Sequence, residues 1–137
     1  MLSKKVKYAF LALQYIIDKS ENEPVKVQEI ASGAKLPRKF LEVILAELKK
    51  AEILESRRGW TGGYLLRKKP AELRYWDIIR IIDGPIELTH CSLSGNQQQC
   101  SECRHLRPCP FKAGFQKSNS QIISTLQSLS FQKSKKK

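Results

Sequence analysis

A short apolar-patterned segment, a tight turn and a longer amphipathic segment follow one another between residues 25 and 50, and a glycine-rich loop comes soon after. In the first segment, residues 25–33, Val27, Ile30 and Ala31 point inward from a short helix, and Gly33 with the Ala-Lys-Leu after it supplies the turn. A second helix starts at Pro37, which suits a first turn because no amide partner is lost there. It runs to about Lys50, with Phe40, Leu41, Ile44, Leu45 and Leu48 at helical spacing. Short helix, turn and longer helix make the helix-turn-helix pattern. Residues 53–58 and 64–67 then read as two strands around Gly-Trp-Thr-Gly-Gly, whose glycines allow the positive φ values of a hairpin loop. That hairpin is a wing.

Around this centre the chain is helical. Residues 3–18 form a helix with Val6, Phe10, Leu13 and Ile17 on one face. Tyr8, Ala9, Leu11 and Ile16 widen that face until little polar surface remains, which predicts burial on more than one side. Pro70 ends the wing, and residues 75–83 form a helix stopped by Gly84-Pro85. Beyond Pro110, the residues Phe111, Phe115, Ile122, Leu126 and Leu129 lie on one stripe, predicting a terminal helix with an apolar seam that needs a partner. The fold class is mainly α with a small two-stranded β wing: a winged helix-turn-helix plus a long C-terminal dimerisation helix. Five parts follow: a DNA-binding unit over 1–70, a connecting helix over 71–89, a cysteine-rich loop over 90–109, a dimerisation helix over 110–131 and a basic tail over 132–137. The last five residues, Lys-Ser-Lys-Lys-Lys, read as a frayed end adding nonspecific phosphate affinity.

Charge narrows the partners. The 25 Lys and Arg against 13 Asp and Glu give +12 over 137 residues, with ten basic and four acidic residues between Lys35 and Lys69. Such a surface favours polyanions, nucleic acid ahead of an anionic membrane. The first apolar run is too short to span a bilayer and lacks a small-residue cleavage site, so a cytoplasmic location without membrane association is expected. No nucleophile–base set is evident, and an enzyme is not expected.

All four cysteines and both histidines fall within the twenty residues from His90 to Cys109. In a cytoplasmic chain such thiols bind metal or act as redox switches. Cys91, Cys100, Cys103 and Cys109 could hold an iron–sulfur cluster, which takes thiolates from irregular loops with variable spacing. Zinc remains open, although only Cys100 and Cys103 form the short knuckle of a usual zinc site. A thiol–disulfide switch, or no cofactor at all, also remains open.

The order and spacing of several stretches resemble the IscR/NsrR/CymR-type (Rrf family) winged-helix transcriptional regulators of bacteria. These are K-K-V-K-Y-A at the first helix, E-I-A at 29–31, F-L-E-x-I-L-x-x-L-K-K-A at 40–51, R-G-W-T-G-G-Y-L-L at 58–66 and W-D-I-I-R-I-I-D-G-P at 76–85, with cysteines downstream. The resemblance covers about residues 1–129. It implies a homodimer with crossing terminal helices, each subunit presenting one helix-turn-helix and one wing to double-stranded DNA at a palindromic operator. It also implies that the cysteine loop holds a 2Fe–2S or 4Fe–4S cluster in some members. A common wing form in the family is R-G-P-G-G-G-Y, so Trp60 and Thr61 replace a proline and a glycine. The frequent C-x5-C-x5-C spacing fits Cys103 and Cys109. It fits Cys91 only with a longer loop, Cys100 is additional, and Lys112 stands where some members carry a further ligand. His105 is an alternative fourth ligand.

In that layout Arg38, Lys39 and Glu42 open the recognition helix. The two cations suit guanine acceptors or phosphates, and Glu42 suits the cytosine amino group. Arg57 and Arg58 flank the glycine loop where arginine can enter a narrow minor groove. Trp60 and Thr61 sit at the wing tip, and Lys68 tracks phosphates with Arg67 and Lys69. The function that follows is a DNA-binding regulator, in the repressor sense, that senses iron–sulfur, redox or nitric oxide status. The alternative is a cysteine-independent, thiol-based or zinc-based regulator answering a metabolite or a protein.

Overall fold

A computed structural model of the chain describes residues 1–20, 22–89 and 108–135. Among them are five α-helices, a two-stranded sheet and one 3-10 turn: α1 Lys4–Lys19, α2 Val27–Gly33, α3 Arg38–Lys50, β1 Leu54–Arg57, β2 Gly63–Leu66, the turn Pro70–Glu72, α4 Tyr75–Asp83 and α5 Lys112–Ser128. The winged helix-turn-helix with an added terminal helix is therefore the architecture.

The core forms around α1. Ser3 caps the helix, its hydroxyl accepting from the Val6 amide, and Val6, Ala9, Ala12, Leu13, Ile16 and Ile17 are buried. Against them pack Ile30 and Ala31 of α2, Leu41, Ile44, Leu45 and Leu48 of α3, and Ile78 of α4. Burial of α1 is one broad stripe rather than the whole circumference, since Leu11 is 42% exposed. Two contacts orient α1 along α3. Lys5 Nζ meets Glu47 Oε1 at 2.5 Å near the end of α3, while the Tyr15 ring covers Gly33, just before α3 begins. The two helices thus run side by side in opposite senses.

Four expectations differ in detail. Phe40 is 64% exposed, because at 3.6 residues per turn it lies about 90° from the centre of the Leu41–Ile44–Leu45–Leu48 stripe. Gly33 is the last residue of α2, and the left-handed conformation in the turn belongs to Lys35, at φ 53°. A Cβ on Gly33 would lie 2.0 Å from Tyr15 Cε2, so the glycine lets the outer end of the Tyr15 ring rest against α2 without swinging aside. Finally, α2 starts at Val27 because Val25 is taken by the wing, exchanging backbone hydrogen bonds of 2.9 and 2.8 Å with Tyr64.

The wing pairs Leu54 with Leu66 and Arg57 with Gly63. Gly63 has φ +149°, and a Cβ there would lie 2.4 Å from the Val25 carbonyl oxygen. The wing and the segment leading into α2 can approach so closely only over glycine.

The fourth difference concerns the C-terminus. Helix α5 ends at Ser128, and residues 129–135 return along the winged unit as a strap. The Tyr75 amide donates to the Leu129 carbonyl at 3.0 Å, the Phe131 amide donates to the Leu73 carbonyl at 3.1 Å, and Arg74 bridges Ser130. Phe131 is buried with its ring centroid 5.0 Å from Phe10 and 5.2 Å from Tyr75. Further on, Asp18 Oδ1 accepts from the Ser134 amide at 2.7 Å and Oδ2 from the Ser134 hydroxyl at 2.7 Å. The described part of the basic end is thus pinned rather than frayed. Burial raises the Asp18 pKa, but the Ser134 and Gln14 hydrogen bonds and the Lys133 charge outweigh it, and the carboxyl sits below its ordinary value.

Two outcomes are expected. Gly63→Ala should cost about 1–3 kcal/mol in urea unfolding, since the residue must hold a left-handed backbone against a carbonyl. Because the folded Asp18 pKa is depressed, the clasp is complete above the ordinary aspartate range, about pH 4, and is lost as pH falls through the lower folded value. The Ser134 amide resonance should report that loss, and Asp18→Asn should remove its pH dependence; a midpoint above the ordinary range would contradict the assignment.

Candidate nucleic-acid interface

Helix α3 carries two unlike faces. Leu41, Ile44, Leu45 and Leu48 are buried, whereas Arg38, Lys39, Phe40, Glu42, Val43 and Ala46 are exposed. The side away from the core therefore combines charge with apolar groups. Arg38 Nε donates to Glu42 Oε1 at 2.9 Å, and its Nη1 donates to Gln28 Oε1 on α2 at 3.2 Å. Both partners of the ion pair are more than half exposed, so its stabilising effect is only about 0.3–0.5 kcal/mol. Its larger consequence is geometric: the guanidinium is held between two helices at the start of α3. Glu42 is accordingly the partner of Arg38 as well as an acceptor at the surface. Lys39 makes no such contact and projects freely among the described residues.

The wing adds a second basic edge. Arg57 reaches Glu55 at 3.5 Å, a weak exposed pair, and Arg58, Thr61 and Lys68 are exposed. Trp60 is 95% exposed, so it does not stiffen the hairpin by packing against it. The loop is shaped by glycines instead. Gly59 takes φ +102°, and a Cβ on Gly62 would meet the Arg57 carbonyl oxygen at 2.4 Å. Arg67 is paired with Glu52 at 3.2 Å, which leaves Lys68 and Lys69 as the uncommitted cations after the wing.

An open cleft of about 480 Å³ lies between the wing and the start of α2, lined by Lys26 and Val27 on one side and by Arg57, Gly59, Trp60, Gly62 and Gly63 of the wing on the other. Through Lys26 and Gln28, α2 connects the wing cleft to the Arg38 network. Sequence reading missed Lys26, Gln28 and the outward Phe40 and Val43. Only the last two left a signal, since their helical angles lie off the core stripe.

Of the four cysteines, Cys109 is free and half-buried just before α5. Cys91, Cys100 and Cys103 lie outside the described residues, as do His90 and His105. Among the described residues no group of three or more His, Cys, Asp or Glu side chains converges on a common point. On the exposed side of α5, Phe111, Phe115, Ile122 and Leu129 form the expected seam, and Leu126 on the same stripe is half-buried beside Ile122. Phe115, Ile122 and Leu129 are seven residues apart, the heptad repeat of packed helix pairs. No described helix is long and apolar enough to cross a membrane.

Residues 2–135 match the Rrf2 family, described as iron-dependent transcriptional regulators. An rrf2-like HTH-type transcriptional regulator of Rhodobacter capsulatus is 35% identical over 118 residues, covering 84% of this chain and 79% of its own. The structure of CymR, the global cysteine regulator of B. subtilis, superposes with a TM-score of 0.75 over 95% of this chain and 92% of that one at 23% identity. T. potens IscR superposes with a TM-score of 0.71 over 95% of this chain and 82% of its own at 26% identity. These relatives are transcriptional regulators, not enzymes. With its winged helix-turn-helix and this match along nearly its whole length, the chain belongs to the Rrf2 family of DNA-binding transcriptional regulators.

Proposed function

We propose that the protein is a cytoplasmic homodimeric repressor that binds a palindromic operator and senses iron–sulfur, redox or nitric oxide status through its cysteines. The observation that carries the DNA-binding part is the pair of exposed basic edges on α3 and the wing, with Lys26 just before α2 in the wing cleft and Gln28 of α2 bound to Arg38. Arg38 and Lys39 address guanine acceptors or phosphates, with Arg38 aimed by Glu42 and Gln28. The second carboxylate oxygen of Glu42 suits the cytosine amino group. Arg57 and Arg58 enter the minor groove beside the wing, Trp60 and Thr61 lie along the sugar edge, and Lys68 holds a phosphate. The heptad-spaced seam of α5 supports pairing with a second copy, which covers Phe115, Ile122 and Leu129.

The donor set fits a metal centre. Cys91, Cys100, Cys103 and Cys109 offer four soft thiolates, and the family is described as iron-dependent. These residues would hold an iron–sulfur cluster, whose thiolate-bound iron supplies redox and nitric oxide sensitivity. The chain's own contribution is connectivity: residues 90–109 join the α4 side of the winged unit to α5, so their arrangement sets how α5 meets its partner. Two recognition helices reading half-sites a helical turn or more apart tolerate little error in separation.

Iron and sulfide analysis of anaerobically isolated protein, with absorbance at roughly 300–500 nm, should reveal a cluster rather than zinc. Operator affinity should differ by about 5- to 150-fold between that protein and the chelator-stripped form. Equal affinity, or an unchanged response after serine substitution of all four cysteines, would reject the sensing role and leave a cysteine-independent regulator. Trp60→Ala should leave thermal stability within about 0.5 kcal/mol, as for an exposed surface residue. The same substitution should weaken duplex binding; a large loss of stability would show that Trp60 is a structural residue.

A further inference from the structure

The strap formed by residues 129–135 ends on an unusual arrangement: two exposed lysines, Lys133 and Lys135, flank a serine clasped to α1. Its direction is fixed by three contacts on a single face of α1, one helical turn apart. Phe131 packs on Phe10, the Gln132 carbonyl accepts from Gln14 at 2.9 Å, and Ser134 binds Asp18. The strap therefore runs parallel to α1, toward its C-terminal end.

The destination of that end follows from the packing of α1 on α3. Lys5 at the start of α1 meets Glu47 near the end of α3, and Tyr15 covers Gly33 at the turn that precedes α3. Asp18 lies about 20 Å along the helix from Lys5, at 1.5 Å per residue, and so at the end where α3 begins. In a helix-turn-helix the start of the second helix is the part nearest the bases. The same end of the molecule carries exposed Lys19, Lys26 at the wing cleft and Lys35 in the turn, against Glu23 in the α1–α2 connection and Glu29 on α2.

We propose that the strap is a basic arm, delivering Lys133 and Lys135 to DNA backbone phosphates that flank the segment read by α3 and the wing. The inference rests on the DNA-binding reading above. The clasp does two things for such an arm. It fixes where the lysines are held, and it occupies the Asp18 carboxylate with hydrogen bonds from Ser134 and Gln14 close to an incoming phosphate. Phosphate contacts carry no sequence information, so the arm adds affinity and register, not specificity.

The test uses the full chain and a fluorescein-labelled mixed-sequence duplex, with affinity followed against salt concentration. Each phosphate contact contributes about 0.9 to the slope of log K against log salt. The double variant Lys133→Ala, Lys135→Ala should reduce the slope by about two and weaken binding to all sequences alike. Ser134→Pro keeps every charge but removes both donors to Asp18, and it should lose part of the same slope. An unchanged slope in the alanine variant would overturn the arm while leaving DNA binding intact. Weakening by the alanines with none by Ser134→Pro would also overturn it, since the lysines would then act as an unplaced polycation. Failure of the unaltered protein to bind any duplex would remove the functional reading and this inference together.

Discussion

Helix α1 lies against α2, α3 and α4 through a single stripe of Val6, Ala9, Ala12, Leu13, Ile16 and Ile17, and the C-terminal strap lies along another side. This stripe supplies six of the buried apolar residues of the core, and it also fixes directions. Because Lys5 meets Glu47 and Tyr15 meets Gly33, α1 acts as a ruler laid beside α3 in the opposite sense. The recognition helix, the wing that leans on Val25 and the strap are all placed relative to it. At the other end, Ser3 donates from its amide and hydroxyl to Asp83 at the close of α4, 2.8 and 2.5 Å away. The helix that leads into the cysteine segment is therefore tied to the start of the same ruler.

Polar residues with defined partners, such as Arg38 with Glu42 and Gln28, hold a cation in place at the molecular edge rather than enclosing a pocket. Phe40 and Val43 belong to the same surface. Both are exposed, and on the proposed recognition helix they would suit thymine methyl groups, which charged neighbours do not.

Much of this was legible in the sequence where local periodicity decides the structure. The helices over 75–83 and 38–50, the hairpin around its glycines and the α5 seam all follow from spacing and turn chemistry. What was not legible depended on distant pairings. Phe131 reads as the end of a terminal helix until Leu73, Phe10 and Tyr75 are known to receive it, and Ser134 reads as tail until Asp18, 116 positions away, accepts from it. Lys35 shows no sign in the sequence of its positive φ, since lysine has no preference for that conformation; it precedes the buried Leu36. Phe40 lies about 90° off the stripe's centre, and apolarity alone does not separate a core residue from an exposed one.

The central claim is that two copies of the chain hold their recognition helices at a separation governed by the cysteine segment. The most direct measurement is the distance between spin-labelled unnatural amino acids placed at Lys50, at the exposed end of α3, in protein bound to a duplex. The account predicts one narrow distance in the iron-loaded dimer and a shifted or broadened one after iron is removed. No dipolar signal, showing that no second copy is present, or the same narrow distance in both states would contradict it.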